Sequence, residues 1–447
     1  MAIIQQIAFV LVLGVAGFLI RKRVLRIRDN IRLGRTVDRT DNPSARWKTM
    51  LLVAFGQQKM FKRIIPAFFH FLIYAGFLII NLEVLEFIID GLAGTHRIFA
   101  PVLGSVYSVA LNIFEFLALA VLLACVVFLI RRNVIKVPRF KKPEMNGWPA
   151  MDGNLILIIE SILMLAIFTM NAADQVLQGM GAEHYVQTGS FFLSSFMMPI
   201  FEGMSEGTLV VIERAAWWFH IIGIMGFALY VTYSKHLHIA LAFPNTFFSK
   251  LQPKGQMDNM DDVTREVKMM LGMPADDGGE APAEVQTLGA KDVNDLTWMN
   301  IMNAYSCTEC GRCTSECPAN LTGKKLSPRK VMMDVRDRAE EVGAQIAAGK
   351  EPFQDDKLLL SEEYISKEEI NACTSCNACV EACPVNINPL DIILQLRRYV
   401  ALEESGSPQS WNSMFSNIET NMAPWKFPPT DRFNWAKDWK EKQEAEG

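Results

Sequence analysis

The chain has 447 residues and a formal net charge of −4; half of it is hydrophobic and 21% is charged. This length is enough for about three domains, and without a basic region there is no reason to expect nucleic acid as a partner. Eight of the nine cysteines fall between Cys307 and Cys383, and the ninth, Cys125, lies alone in an apolar stretch. Such clustering argues against a secreted disulfide framework and favours a metal site in a reducing compartment.

The first part of the chain contains five apolar stretches, each near the length of about 20 helical residues that a bilayer requires. They are residues 2–20, 66–89, 105–130, 154–173 and 215–233. Basic residues follow the first stretch instead of preceding it, so we interpret this stretch as a retained helix and not as a signal peptide. The sequence therefore predicts an all-α fold that begins with a membrane domain over residues 1–250.

Positive charge is distributed unevenly between the two sides of the predicted membrane domain. Lys and Arg are dense in residues 21–63 and again in residues 131–142, whereas the opposite loops hold Arg97 and little other positive charge. Because basic loops stay in the cytoplasm, we expect the N-terminus outside and everything after Lys235 inside. These features predict a multi-pass protein in contact with the lipid of the bacterial inner membrane.

Three histidines of this domain are candidate haem ligands, since an ionisable side chain at membrane depth is costly and indicates function by default. His220 and His238 are 18 residues apart, which is five full turns of a helix, so both should project from one face. His70 and His238 both lie near the cytoplasmic side and can hold the iron of a b-type haem between them. The simpler alternative is an interhelical hydrogen bond. We interpret His236 as an interfacial bystander.

Two segments resemble the second and fifth helices of the cytochrome b (gamma) subunit of respiratory nitrate reductases: PAFFHFLIY around His70, and WFHIIG to HLHIA around His220 and His238. That family has five spans, and its two haems are each held by one histidine from either helix. The resemblance implies that His70 and His238 ligate the cytoplasm-side haem. Ile80 stands where the family has its second histidine in helix two. Two interpretations of His220 therefore remain open. It is either a ligand of a second haem, with a partner other than a histidine of helix two, or part of a quinone site.

Charged side chains within the apolar stretches or at their edges are candidates for quinone and proton chemistry. The candidates are Glu83, Glu86, Glu115 and Arg214. Quinone chemistry moves two protons with two electrons, so carboxylates near a quinone can exchange protons with it. Arg214 is also a candidate partner of haem propionates. The alternative is an intramembrane ion pair or a residue at a wet rim.

The strongest pattern is a pair of CxxCxxCxxxCP motifs, which begin at Cys307 and Cys373. Three thiolates spaced in this way wrap one cubane, and the fourth, before the proline, reaches the other cluster. One [4Fe–4S] cluster is therefore predicted on Cys307, Cys310, Cys313 and Cys383, and the other on Cys373, Cys376, Cys379 and Cys317. Zinc is the alternative, but the two motifs contain more cysteines than one zinc site needs.

The cysteine motifs belong to a predicted helical domain over residues 296–403. With its wide separation of the two motifs, it resembles the α-helical ferredoxin domain of fumarate reductase iron–sulfur subunits and of the small, C-type component of heterodisulfide reductases. Residues 251–295 before it are rich in Pro, Gly and acidic side chains and are predicted to be a flexible linker. Residues 404–447 are an aromatic-rich, irregular tail that we expect to dock on a partner subunit. Packing back onto the cluster domain is the alternative.

The combination of the two halves resembles membrane subunits of heterodisulfide-reductase-related complexes and of electron-transfer-flavoprotein:menaquinone oxidoreductases. The resemblance implies a quinone-linked oxidoreductase subunit, which passes electrons between a cytoplasmic redox partner and menaquinone or another quinone through two [4Fe–4S] clusters and haem b. The sequence has no Cys-Cys pair and no GxGxxG flavin motif, so we expect a separate catalytic subunit of cysteine-rich or flavoprotein type. A membrane-anchored redox sensor, or an anchor without quinone turnover, is the alternative function.

Overall fold

The computed structural model of the chain describes residues 2–274 and 287–446. Every regular element in these residues is a helix, and the β contacts among them are isolated bridges. The predicted all-α class is therefore confirmed for the part of the chain that the structure describes.

Within the described residues, five helices are long and apolar enough to cross a membrane, as the sequence predicted. In chain order, these membrane helices are Ala2–Ile31, Ile64–Ala93, Ser105–Asn133, Trp148–Met180 and Glu206–Val231. Most of them extend beyond the predicted apolar stretches, because a helix, once formed, continues at little cost into polar flanking residues.

The remaining helices are shorter. The other α-helices are Pro43–Met50, Ala100–Leu103, Met198–Phe201, His238–Phe247, Asp261–Met270, Trp298–Tyr305, Arg312–Glu316, Pro318–Leu321, Pro328–Ala347, Lys367–Asn371, Ala378–Ala382, Pro389–Leu402, Gln409–Asn421 and Asn434–Glu446. Single 3₁₀ turns lie at Met60–Lys62, Pro138–Phe140, Pro143–Met145, Ser194–Phe196, Lys235–Leu237, Val293–Asp295 and Pro429–Asp431, and a π-helical turn lies at Leu51–Phe55.

Apolar side chains from all five membrane helices meet in one core. Phe9, Phe87, Ala118, Ile167 and Ile221, one from each helix in chain order, are all buried in it. Lipid tails are as apolar as these side chains, so close packing, and not the hydrophobic effect, holds such helices together.

Contacts divide the chain into two compact units. The first comprises residues 1–258 and 292–392, so the five membrane helices and both cysteine motifs belong to one unit. The second comprises residues 259–291 and 393–447. The four-part division at residues 250, 295 and 403 stays a prediction.

Two segments expected to be irregular contain helices. In the predicted linker, Asp261–Met270 is helical, while residues 275–286 lie outside the described residues. In the predicted tail, Gln409–Asn421 forms a helix that carries Trp411 and Phe415, both exposed. These aromatic side chains are four residues apart and share one face of the helix.

The fifth membrane helix ends at Val231, and a new helix begins at His238. The hydroxyl of Ser234, between the two, donates a 2.6 Å hydrogen bond to the carboxylate of Asp152, 82 residues away in the chain. This contact holds the intervening turn. The prediction that His220 and His238 lie on one continuous helix is therefore wrong, because a distant carboxylate stabilises the break.

The cysteine-motif region is fixed by ion pairs to the first membrane helix and to the turn Pro143–Met145. The guanidinium of Arg23, in the first membrane helix, contacts both carboxylate oxygens of Glu340 at 2.7 and 2.8 Å. Arg329 is fully buried and its Nη2 lies 2.6 Å from the carboxylate of Glu144. Removing one partner of a buried pair typically costs about 3–5 kcal/mol, so contacts of this kind resist separation of the two regions.

Gly343 lets the Pro328–Ala347 helix approach the first membrane helix closely. A β-carbon at Gly343 would lie 1.9 Å from Oδ1 of Asn30, and the Asn30 side chain is held by a 2.8 Å hydrogen bond to the Tyr305 hydroxyl. We therefore expect Gly343→Ala to destabilise the protein by about 1–3 kcal/mol, measured as a lower midpoint of thermal unfolding. Gly179→Ala is the control, because Gly179 is helical and has open space. Equal midpoints for the two variants would contradict the close approach.

Candidate functional site

The two cysteine motifs have the same backbone conformation at equivalent places. The third and fifth residues of each motif have a left-handed backbone: Glu309 and Gly311 with φ of 54° and 70°, Ser375 and Asn377 with φ of 55° and 60°. Glycine adopts this conformation without strain and asparagine tolerates it. A short helix follows in each motif and ends just before the fourth cysteine. The chain therefore builds two loops of matching shape.

Backbone amides of these loops point at the first thiol of each motif. The N–H of Glu309 donates to Sγ of Cys307 at 3.4 Å, and the N–H of Ser375 donates to Sγ of Cys373 at 3.4 Å. Hydrogen bonds to the sulfurs are one of the means by which a protein tunes an iron–sulfur cluster. Glu309 and Ser375 therefore both form the turn and donate a hydrogen bond to a cysteine sulfur.

The fold places the fourth cysteine of the second motif beside the first three cysteines of the first motif. Cys307, Cys310, Cys313 and Cys383 line one small cavity. Cys379 lies within electrostatic range of Cys373, Cys317 and Cys376. No three His, Cys, Asp or Glu side chains of the described residues are close enough to ligate a single metal ion. The assignment of the eight thiols to two clusters stays a prediction.

His70, in the second membrane helix, and His238, at the start of the short helix that follows the fifth, lie close together. Their ring centroids are 6.4 Å apart. Two imidazoles bound through Nε2 to opposite sides of one metal have centroids roughly 6 Å apart, since each metal–nitrogen bond is about 2 Å and each ring adds about 1 Å. The separation of the two rings therefore fits an iron between them.

Hydrogen bonds orient both rings. Nδ1 of His70 lies 3.2 Å from the side-chain carbonyl oxygen of Gln57, and Nδ1 of His238 lies 3.2 Å from the backbone carbonyl oxygen of Lys235. A carbonyl oxygen accepts only, so Nδ1 carries the proton in each ring. Nε2 is then left as the nitrogen that can bind a metal, the arrangement that metal-ligating histidines usually have.

His220 is buried apart from these two rings. Its Nδ1 donates to the backbone carbonyl of Leu163 at 3.1 Å, and its ring packs edge-on against Phe87 at 5.8 Å. Ile80 is buried in the neighbouring apolar core. The His220 tautomer suits a ligand, but the ring that packs against it belongs to an apolar residue.

His236 is partly buried and lines the same cavity as His238, whereas the sequence predicted an interfacial bystander that points away from it. Its Nε2 lies 3.5 Å from the carboxylate of Glu160, and its ring lies 5.3 Å from that of His238. Glu160 also accepts a hydrogen bond from the thiol of Cys125 at 3.4 Å. The turn before His238 brings His236 inward, and no helical periodicity could have predicted this.

A cavity of about 330 Å³ surrounds His70 and His238. Apolar side chains line most of it, and five cationic ones line it as well: Arg131, Arg132, Arg139, Lys235 and Arg312. Sequence reasoning counted the first three only as evidence of orientation. Their position indicates a second role, which is to bind an anionic group inside the cavity.

Arg139 supports this interpretation. Its Nε is buried and has no hydrogen-bond partner among the described residues. The pKa of Arg139 is lowered to about 10, mainly by burial and also by the positive charges of Arg63, Arg312 and Arg131, while the Cys310 thiol opposes the shift. Because these positive charges repel one another, binding of an anion beside them is favourable.

The cavity around the histidines adjoins the cysteines. Cys310 lines both this cavity and the one formed with the other three thiols of its set. Glu309, in the same loop, forms buried ion pairs with Lys235 and with Arg336. The first cysteine loop is therefore fixed directly against the segment that leads to His238.

The acidic candidates lie in a different polar network. Glu86 accepts a 2.6 Å hydrogen bond from the Tyr107 hydroxyl, and Glu115 accepts one from Asn171 at 3.1 Å. Oε1 of Glu83 is buried with no hydrogen-bond partner among the described residues. These carboxylates do not line the cavity around His70.

Arg97 joins this network, and sequence reasoning did not identify it as a functional residue. Its guanidinium is buried and lies 2.7 Å from Asp174 and 2.9 Å from Asn171. The sequence could have singled out Arg97, because it is the main cation of a loop that lies beside several acidic residues. Arg214 instead contacts Glu213 and lies 5.4 Å from the centroid of the Trp217 ring, so its pairing with a propionate stays a prediction.

Residues 306–387 match the 4Fe-4S dicluster domain family. Over 97% of its length the chain is 27% identical to the "Probable iron-sulfur-binding oxidoreductase FadF" of Bacillus subtilis, of which it covers 61%. Over 89% of its length it is 26% identical to the "EtfAB:quinone oxidoreductase" of Syntrophomonas wolfei, of which it covers 55%.

A third relative is the "Probable membrane-anchored ferredoxin" of Chromohalobacter salexigens, 31% identical over 36% of this chain and 25% of the relative. The chain thus spans little more than half of the first two relatives. No solved structure matches it. The relatives, the dicluster match and the five apolar helices indicate a membrane-associated iron–sulfur protein of electron-transfer type.

Proposed function

We propose that this chain is the electron-transfer subunit of a membrane oxidoreductase, which passes electrons between a cytoplasmic redox partner and a quinone through two [4Fe–4S] clusters and haem b. One observation carries the proposal: Cys310 lines both the cavity of its cysteine set and the cavity that contains His70 and His238. A cluster held by the first set would be adjacent to a haem held by the two histidines.

His70 and His238 are the residues that would hold the haem. Their separation fits one metal between them, their Nδ1 hydrogen bonds leave Nε2 free to bind it, and Arg139 offers an unpaired Nε for a propionate. The bound haem would supply a one-electron carrier between the clusters and a two-electron quinone. We favour one haem over two, because Ile80 stands where a second pair would need its other histidine.

The second cysteine set would form the entry point for the redox partner. Each set contains two buried cysteines, but the second set also contains Cys376, which is the exposed cysteine of the eight. An electron from a soluble donor would therefore reach the second cluster first. A partner of flavoprotein or cysteine-rich type is supported by the names of the relatives, which include EtfAB:quinone oxidoreductase and heterodisulfide reductase subunits.

The carboxylates Glu83, Glu86 and Glu115 are proposed to exchange protons with the quinone, for which menaquinone is our first candidate. They sit among hydroxyl, amide and guanidinium groups inside the membrane domain. Buried carboxylates in such a network can hold and release protons where water is scarce.

The orientation that we propose puts the cluster region in the cytoplasm of a bacterial cell. Ion pairs to this region come from the basic segments, for example Arg23 to Glu340 and Arg63 to Glu316. Basic segments stay on the cytoplasmic side of the inner membrane, so the clusters would face the cytoplasm and the N-terminus would face outside.

A direct experiment measures whether a quinol reduces the haem. The full chain would be placed in nanodiscs without oxygen and mixed with a menaquinol analogue while the haem Soret band is recorded. We expect the reduction rate to saturate with quinol concentration, since the quinol must first bind. If dithionite reduces the haem and quinol never does, the sensor alternative is favoured and quinone turnover is excluded for this chain.

A further inference from the structure

A second cavity lies between the first membrane helix and the Pro328–Ala347 helix. It shares no lining residue with the cavity around His70 and His238. It has a volume of about 360 Å³. Its lining is Phe18, Arg21, Lys22, Leu25, Arg26, Asp29, Asn30, Gly343, Ile346 and Ala347. We refer to this cavity as the basic groove. The helix is apolar up to Ile20 and basic from Arg21 onwards, so the groove lies where the helix leaves the hydrocarbon core.

The positive charges of the groove are not neutralised. Arg21, Lys22 and Arg26 have no ion pair with a carboxylate among the described residues, whereas Arg23 and Arg28 in the same helix are paired. Asp29, the acidic side chain of the lining, is engaged with Arg28 at 2.7 Å. Three unpaired cations around one cavity indicate an anionic ligand.

The groove is built on a rigid frame. Arg23 and Glu340 join the two helices by a two-point ion pair. Asn30 donates to Tyr305, whose hydroxyl donates to Glu340 at 2.6 Å. Gly343 forms part of the floor, and nothing larger fits there beside Asn30. The two walls are therefore fixed relative to each other before any ligand binds.

Apolar side chains lead from the bilayer to this cluster of charge. Leu11, Val15 and Phe18 are exposed by 62%, 59% and 64% and lie on one ridge of the first membrane helix, at spacings of four and three residues. The ridge continues to Lys22. An acyl chain lying along it would have its phosphate at the groove, which favours a lipid over a free phosphate ion.

We propose that the basic groove binds the headgroup of an anionic phospholipid. The phosphate would contact Arg21, Lys22 and Arg26, and the acyl chains would follow the ridge of the first membrane helix. Because one wall belongs to the cysteine-motif region, the lipid would bridge this region and the membrane. The proposal is independent of the haem and of quinone turnover.

The test compares lipid binding by two variants of equal charge. The groove variant carries Arg21→Gln, Lys22→Gln and Arg26→Gln. The control carries Arg32→Gln, Lys48→Gln and Lys141→Gln, which neutralise exposed cations of the basic segments outside the groove. Binding of phosphatidylglycerol and of phosphatidylcholine to the full-length proteins is measured by native mass spectrometry.

We expect the wild type and the control to retain phosphatidylglycerol, and the groove variant to lose affinity for it by about fivefold per side chain, on the order of 100-fold in total. Phosphatidylcholine should bind weakly to all three proteins. Equal losses in the two variants would overturn the proposal in favour of general surface attraction. Displacement of the lipid by millimolar inorganic phosphate would overturn it in favour of a simple anion site. Unchanged iron content serves as the check on folding.

Discussion

Replacing His238 with alanine is expected to remove the proposed haem, with haem content falling at least about tenfold. The His238 ring lies 6.4 Å from that of His70, and its Nδ1 is held by the Lys235 carbonyl, so Nε2 has one direction in which to bind iron. The loss of one axial nitrogen leaves the porphyrin with a single ligand. His70→Ala should give the same result. The measurement is the ratio of haem to cluster iron in the purified protein.

His184→Ala is the matched control, because this histidine is exposed and lies outside the cavity. It should keep the full haem content. Full haem content in both His70→Ala and His238→Ala would exclude the proposed site. If only His220→Ala lost haem, the haem site would instead have to include His220, which is buried and contacts Leu163.

Replacing Cys383 with serine is expected to remove the first cluster while the second remains, so that iron content falls by about half. Cys383 stands in the second motif, but it lines the cavity of Cys307, Cys310 and Cys313. The variant should also lose transfer between the second cluster and the haem, because the intervening carrier is absent. Iron analysis and electron paramagnetic resonance of the reduced protein measure both effects.

Cys125→Ala is the control, since this cysteine is buried beside Glu160 and belongs to neither set. It should keep its full iron content. Cys317→Ser should remove the other cluster and leave the first. If Cys383→Ser lost the same paramagnetic signal as Cys373→Ser, the exchange of the fourth cysteines between the motifs would be wrong. Zinc in place of iron in the wild type would exclude the electron path altogether.

Local patterns succeeded wherever the chemistry needs residues that are close in the sequence. The five membrane helices could be predicted because every backbone group inside a bilayer must be satisfied within its own segment, which makes length and apolarity sufficient. The cysteine loops could be predicted because three of the four thiolates that a [4Fe–4S] cluster needs lie on one short loop. The left-handed residues Glu309 and Ser375 recur at the same place in each motif because both loops solve the same geometric problem.

Long-range contacts account for what sequence reasoning missed. Asp152 holds the turn at Ser234 and so breaks the fifth membrane helix before His238. That break turns His236 inward to Glu160. Arg139 is one of many basic residues in its loop, and only its neighbours show that it lines the cavity and carries an unpaired Nε. None of these contacts follows from a sequence periodicity or a sequence motif.

The sequence by itself determined the class of the protein: a helical membrane domain joined to a dicluster domain, with His70 among the candidate haem ligands. Apolar length and cysteine spacing are local properties, so no folded context was needed to interpret them. The tertiary structure alone decided which groups are adjacent, above all that Cys310 borders the cavity of the two histidines. Adjacency depends on buried pairs such as Lys235 with Glu309, which are 74 residues apart, and the free energy of such a pair exists only once the chain has folded.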